Sequence, residues 1–251
     1  MAKDRDQRRR RILAEFEQHP SLRVSQLAAR LGVSAETVRR DLDALTIEGQ
    51  IDRTYGGAMR RRSLEPSVSE RHNMRAAERE RIARRGCPLL EGAGLVMIGS
   101  GATTVHLARR IALEMNGLTV IAHSFGVATV LALNPTITVL MAPGAYHAGE
   151  GAIHGAETVG FLDGYQADWA ILGASGMDPG GPSDALLEAG EVYRRMVARA
   201  ERTMLVADSS KFGKRFPACW AGWSDISCVV TDAAPPEGVL PADAPTNVIV
   251  A

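Results

Sequence analysis

Apolar residues near the front of the chain recur at helical intervals in a strongly charged background. Over residues 8–18, Ile12, Leu13 and Phe16 share one side of a predicted helix, which Pro20 ends. The next run, "VSQLAARLGVSAETVRRDLDALTIEG", predicts two more helices. Ser25 is the expected N-cap of the first, with Leu27, Ala28 and Leu31 on its apolar face. Gly32 supplies a tight turn and Ser34 caps the second, whose Val38, Leu42 and Leu45 form a buried stripe. "GQIDRTYGGAMRRR" then predicts two short strands about a turn. Further on the period changes. The runs "LVMIG" (95–99), "LTVIAHS" (118–124), "TITVLM" (136–141), "WAILGAS" (169–175), "TMLVADSS" (203–210) and "CVVTD" (228–232) alternate with helical stretches such as 102–115 and "EVYRRMVARA". That alternation predicts an α/β domain with a mainly parallel sheet.

The break between the two patterns is a charged stretch interrupted by Pro66. It divides the chain into an expected winged helix-turn-helix domain over 1–58, a linker over 59–73 and an α/β domain over 74–251. Charge follows the same division. Residues 1–62 carry 14 Arg and Lys against 9 Asp and Glu, whereas residues 63–251 carry 15 against 20, so the chain as a whole is neutral. A basic front on an acidic body suits a nucleic-acid module joined to something else.

Other bulk features exclude classes of function. No apolar run approaches the ~20 residues of a membrane span, and charges fill the opening segment where a signal peptide needs an apolar stretch. A cytoplasmic protein without a membrane partner is expected. Cys87, Cys219 and Cys228 lack metal-ligand spacing and read as buried free thiols. His147 and His154 have no third ligand at a telling spacing, so neither a metal nor a cofactor is expected.

Two helices joined by a glycine turn form the helix-turn-helix unit, whose second helix enters the major groove of DNA. Opposite the buried stripe that helix presents Glu36, Arg39 and Arg40. Arginine there reaches guanine edges or phosphates. Ser25, Ser34 and Thr37 stand where a helix start holds a backbone phosphate, and Arg53 and Tyr55 of the wing face the duplex, with Arg60–Arg62 trailing along it. These residues are the candidate DNA contacts.

In parallel α/β sheets ligands sit beyond the carboxyl ends of the strands. There the chain places Ser100, Gly101, Ala102, Thr103 and Thr104 after the first run and Ser124 after the second. Asp178 follows the fourth, and Ser209, Ser210 and Lys211 the next. Glycine N–H groups and hydroxyls at a helix start suit a phosphate, and a lysine adds a point charge. Only three lysines accompany twenty-six arginines, and Lys211 is one of them. The loop lacks the Gly-Lys-Ser/Thr ending of a P-loop and the last glycine of G-x-G-x-x-G.

At these residues the sequence resembles the DeoR family of bacterial transcriptional regulators. The front-end signature is carried by Ser34, Thr37, Arg39, Arg40, Asp41, Leu42, Gly56 and Gly57. Further back it is carried by "GSGATT", "AHS", "ILGASGMD", "DSSKFG" and "VVTD". The resemblance spans nearly the whole chain. It implies a C-terminal domain similar in fold to ribose-5-phosphate isomerase and coenzyme A transferases. It also implies a sugar-phosphate pocket at Ser100, Gly101, Thr103, Thr104, Ser124 and Lys211, with Asp178 near it. Ala102, His123 and Ala142-Pro143 depart from the family pattern and leave the sugar end undefined; His123 either donates to the ligand when protonated or fills volume. The run "GAIHGAETVGFL…DALLEAGEV" looks somewhat like the glycerol-3-phosphate repressor branch, which makes that polyol phosphate one candidate effector.

The expected function is a DNA-binding regulator, in the main a repressor of carbohydrate or polyol genes. Its operator affinity would be set by a phosphorylated sugar or polyol, and a homo-oligomer, dimer or tetramer, would bind symmetric half-sites. A rival is a phosphosugar isomerase with Asp178 or Asp208 as general base. Against it, no carboxylate pair shares a loop, and an enzyme needs no basic module. A third class is an architectural DNA binder whose larger domain binds nothing.

Overall fold

The computed structural model describes residues 2–251 except 20, 48–49, 55, 61–65, 67, 242–243 and 245. It falls into two compact units, Met1–Pro66 and Ser67–Ala251.

The smaller unit contains α1 (Ala2–Gln18), β1 (Ser21–Arg23), α2 (Val24–Leu31), α3 (Ala35–Ile47), β2 (Ile51–Thr54) and β3 (Gly57–Arg60). The apolar stripes read from the sequence meet in one core: Ile12 and Phe16 of α1, Leu27 and Leu31 of α2, Val38, Leu42 and Leu45 of α3. Gly32, in the left-handed region at φ 68°, ends α2 as expected. Strands β2 and β3 form the wing, and β1 adds a third strand on the other edge of β3.

One cap differs from expectation. Ser25 is not the N-cap of α2 but an exposed residue of its first turn; the cap is Arg23. The reason is tertiary. Strand β1 runs directly into the helix, and Val24 N donates to Gly56 O of the wing turn (3.0 Å), so the helix starts two residues early. Gln26 Oε1 accepts the Arg23 N–H at 2.8 Å. The wing needs its glycine pair for separate reasons. Gly56 has φ 80°, and a Cβ on Gly57 would lie 2.2 Å from Leu22 O.

The larger unit begins with α4 (Val68–His72) and α5 (Ala76–Gly86). The expected linker, 59–73, thus includes the end of β3 and all of α4. There follow β4 (Leu95–Ile98), α6 (Ala102–Glu114), β5 (Thr119–Ala122), α7 (Phe125–Leu131), β6 (Thr138–Met141), the hairpin β7 (Ala145–His147) and β8 (Ala152–His154), and α8 (Ala156–Leu162). Next come β9 (Ala167–Leu172), β10 (Gly176–Asp178), β11 (Gly181–Asp184), α9 (Leu187–Ala198), β12 (Ala200–Val206), β13 (Ala218–Cys219), β14 (Cys228–Thr231) and β15 (Asn247–Val250).

Seven strands form one parallel sheet in the order β15-β14-β12-β9-β4-β5-β6. Alternate residues bury opposite faces. Val96, Ile98, Val120, Ile171, Met204 and Val230 pack with α5, α6 and α7, while Met97, Ile121, Leu172, Leu205 and Val229 pack with α8 and α9. The fold is therefore a three-layer α/β/α unit. Among its strands, β15, the β7–β8 hairpin and a small antiparallel sheet, β10-β11-β13, have no counterpart in the sequence reading. Among the described residues no helix is long and apolar enough to cross a membrane. Cys87 and Cys228 are buried as expected, but Cys219 is exposed, because β13 sits at the edge of the small sheet.

Candidate functional site

Two surfaces gather the residues singled out in the sequence. On the smaller unit, Ser34 Oγ accepts the Thr37 N–H (3.2 Å) and lies 2.9 Å from Thr37 Oγ1, closing the start of α3. Glu36, Arg39 and Arg40 follow on the exposed face of that turn. Glu36 holds both arginines: its Oε2 lies 3.6 Å from Arg39 Nη1 and its Oε1 3.3 Å from Arg40 Nε. Arg53, from β2, stands 3.6 Å from Asp43 of the same helix, so wing and helix present one basic edge. Ser25 is exposed on α2, and Tyr55, Arg61 and Arg62 lie outside the described residues.

Sequence reasoning placed Asp41 only as a family position. The structure gives it work: its carboxylate, buried within the unit, is 2.5 Å from Arg8 Nε and 3.5 Å from Arg9 Nε. Asp41 thereby anchors α1 to α3. An acidic residue beside two arginines in a helix signals such a partner only once a second basic helix is known to pack there.

On the larger unit most of the candidate effector residues collect at the carboxyl ends of the neighbouring strands β4 and β5. Gly101 has φ 130° and ψ 161°, a conformation reserved for glycine, and it turns the chain from β4 into α6. The first bond inside α6 is Val105 N to Gly101 O (3.2 Å). The N–H groups of Ala102, Thr103 and Thr104 therefore have no acceptor within the helix and carry its positive dipole end.

The hydroxyls around them are mostly committed elsewhere. Ser100 Oγ lies 3.0 Å from the Tyr193 hydroxyl, which itself donates to Ser100 O (2.8 Å). Thr104 Oγ1 donates back to Gly101 O (2.8 Å). Ser124 Oγ accepts the Val127 N–H (3.4 Å) as the N-cap of α7. Thr103 and Ser124 are the hydroxyls here whose own hydrogens meet no acceptor among the described residues. The loop thus offers an anion mainly backbone N–H groups, which require no particular side chain.

His123 is corrected. It is fully buried, its Nδ1 meets Ile153 O at 2.7 Å, and its Nε2 meets Ser100 N at 3.1 Å. A carbonyl only accepts, so Nδ1 carries the hydrogen and Nε2 accepts the Ser100 N–H. Both ring nitrogens are used. Burial, reinforced by His154, pushes its pKa down to about 3, so the ring is neutral and cannot donate to a ligand as a cation. It fixes the loop instead.

Three loops converge around Gly173. A Cβ there would lie 3.6 Å from Ser100 O and 3.9 Å from Val206 O, joining the ends of β4, β9 and β12. Lys211 stands on the β12 loop, partly exposed, close enough for its charge to act on Asp208. Asp178 is not brought to the helix start in the same way. It lies in β10, where Oδ1 accepts the Gly180 N–H (2.9 Å) and Oδ2 is 3.7 Å from Arg215.

Asp208, the other proposed base, is fully buried. Burial alone would raise its pKa, but the Ser210 hydroxyl, Arg79 and Lys211 together hold it below the usual carboxylate range. A carboxylate so stabilised is a poor proton acceptor. Sequence reasoning weighed His154 only as a metal ligand. It is 4% exposed, its Nε2 has no partner among the described residues, and its ring lies 5.2 Å edge-on from that of His123. Burial lowers its pKa to about 4, so it too is neutral. Among the described residues no three His, Cys, Asp or Glu side chains gather to hold a metal.

Comparison with known proteins matches both units. The profile of the DeoR-like helix-turn-helix domain fits residues 8–63, and that of the DeoR C terminal sensor domain fits residues 74–233. The glycerol-3-phosphate regulon repressor of Escherichia coli K12 is 29% identical over 93% of each chain. The putative aga operon transcriptional repressor of Escherichia coli O157:H7 is 30% identical over 83% of this chain and 79% of its own. Among solved structures, ribose 5 phosphate isomerase A from Neisseria gonorrhoeae overlaps 55% of this chain and 54% of its own, at 15% identity and a TM-score of 0.38.

Proposed function

Given that the chain belongs to the DeoR family of helix-turn-helix transcriptional regulators, we propose that it is a repressor released from its operator by a phosphorylated sugar or polyol. Ser34, Thr37, Arg39, Arg40 and Arg53 are the residues proposed to hold DNA, with Glu36 to be displaced from the two arginines on binding and Tyr55 a further candidate contact. Ser25, exposed in the first turn of α2, is a candidate backbone contact. The start of α6 is proposed to take the phosphate, with Gly101 shaping the turn, Ala102, Thr103 and Thr104 donating, and Lys211 adding charge. Ser100, His123 and Ser124 hold these groups in place, and Asp178 is proposed to border the site.

One observation carries the effector reading. A glycine-only turn aims three helix-start N–H groups at the open end of a parallel sheet, beside a loop bearing one of the chain's rare lysines. The relatives' names make sn-glycerol 3-phosphate the first compound to try. A single module reads few bases, so a homo-oligomer on symmetric half-sites is part of the proposal. The ligand must prefer one of two arrangements for the sites to be coupled. The low pKa of Asp208 weighs against catalysis, and no observation favours the isomerase.

The test is a melting screen of the full chain against phosphorylated sugars and polyols and their unphosphorylated forms, followed by binding to its own upstream DNA. Lys211→Ala should lose the melting shift, and Arg39→Ala should lose DNA binding while keeping that shift. If each variant loses both, the separation of the two sites is wrong.

A further inference from the structure

Residues 68–79 open the larger unit, directly after the DNA-binding unit in the chain, and their side chains are heavily committed. Val68 N donates to Gly149 O (3.0 Å). Arg71, 8% exposed, donates from Nη2 to Glu150 Oε2. Both partners lie in the turn between β7 and β8. Strand β8 is in turn bonded to the loop after β5, through Ile153 N to His123 O (2.7 Å) and His123 Nδ1 to Ile153 O. Helix α4 is thereby fastened to a hairpin whose base forms one side of the candidate effector site.

The second fastening starts at Arg75, the one non-glycine residue with positive φ among the described residues (φ 51°, ψ 38°). Side-chain-bearing residues hold that conformation only where their surroundings enforce it. Its guanidinium reaches Ser209 Oγ at 3.4 Å, Asp208 at 3.7 Å and Asp232 at 3.9 Å. One turn on, Arg79, 3% exposed, donates from Nη1 to Arg71 O and Met74 O and from Nη2 to Asp208 Oδ2 (3.2 Å). Arg79 therefore ties the end of α4 and the turn after it to the loop that carries Lys211.

Asp208 is the shared element. Its buried carboxylate feels Arg75 and Arg79 from the entry segment and Lys211 from the candidate effector loop. A phosphate at the start of α6 draws Lys211 toward itself, and the two arginines then hold Asp208 with less competition. We propose that residues 68–79 form a two-point latch, tightened when the effector site is filled, with Arg75 as the hinge between the fastenings. This rests on the effector reading above. With the site filled, the entry segment is held in the fastened αL turn; where Lys211 competes for Asp208 the fastenings loosen, and operator affinity changes with them. Arg71, Arg75, Arg79 and Asp208 are positioning residues, for none is placed at the ligand.

Amide hydrogen exchange of the full chain, in inorganic phosphate against chloride at matched ionic strength, tests the latch. Phosphate should slow exchange at residues 99–104 and, by about threefold or more, at 68–79. Lys211→Ala and Arg75→Gly should each abolish the effect at 68–79; glycine accepts φ 51° without cost, so the second variant keeps its fold. Arg75→Gly should also change affinity for the upstream duplex by about threefold or more, although it lies outside the DNA-binding unit. Protection at 99–104 without protection at 68–79 overturns the latch alone, as does unchanged DNA affinity in Arg75→Gly. No protection at 99–104 overturns the effector site, and the latch with it.

Discussion

Glu36 sits between Arg39 and Arg40, the two arginines proposed to contact DNA, and the contacts of 3.6 and 3.3 Å are both solvent-exposed. Exposed pairs of this kind contribute little to stability, so their significance is for binding. A duplex must take the arginines from Glu36, and a carboxylate is then left facing phosphates. Glu36→Gln should raise affinity for arbitrary duplex DNA by about three- to tenfold at ~0.1 M salt, since one negative charge leaves the interface. Titration of a labelled random duplex checks this, and an unchanged affinity would place Glu36 outside the interface. His123 shows how far a single residue could be read from sequence. Its departure from the family pattern was visible, but its role was not, because that depends on Ser100 N and Ile153 O, which lie 23 and 30 residues away. Arg71 was placed in the linker and Arg79 in the opening of the α/β domain, with no partner read for either. They are buried, because backbone carbonyls and carboxylates from distant loops surround them.

At the level of elements, the wing is fixed by the contact between Gly57 and β1. Gly57→Ala would drive a Cβ against the Leu22 backbone, 2.2 Å from its carbonyl oxygen. Neither backbone can yield without breaking the β1–β3 ladder. The expected loss is on the order of 2–4 kcal/mol in the stability of the smaller unit, read by chemical denaturation, together with loss of operator binding. Helices α2 and α3 and six strands of the main sheet were legible because their periodicities are long or repeated. The β7–β8 hairpin and the β10-β11-β13 sheet were not. Their strands are only two to four residues long, and β10 and β11 are set among the glycines and prolines of "GMDPGGPSD", so they carry no alternation to read. The start of α2 was misplaced for a different reason. Ser25 is a good local cap, but the wing carbonyl of Gly56 satisfies Val24 first.

At the level of the whole molecule, the smaller unit has its own apolar core, separate from those on the two faces of the sheet. Two unfolding transitions are therefore expected in calorimetry. DNA should raise one and a bound phosphorylated metabolite the other. Acid should act mainly on the second. The folded pKa values of His123 and His154 are lowered, to about 3 and about 4, so between those values and ~6.5 the unfolded chain binds more protons. Stability then rises with pH across that window and falls as pH drops through it, by up to about 1.4 kcal/mol per pH unit for each ring. Melting at pH 7.5 and 5.0 should show the larger unit's transition moving more than the smaller one's; equal shifts would mean that these rings are not buried neutral.

The three cysteines give that behaviour a natural reporter. Cys219 is open to reagents, whereas Cys87 and Cys228 share one core and burial lifts their thiols to about 12 and about 11. A maleimide should therefore couple rapidly at a single position on the intact chain and reach the other two only when the layer beneath α5 and α6 breathes. The slow phase of that alkylation would time the breathing without any engineered probe, and a metabolite that stills the layer should lengthen it.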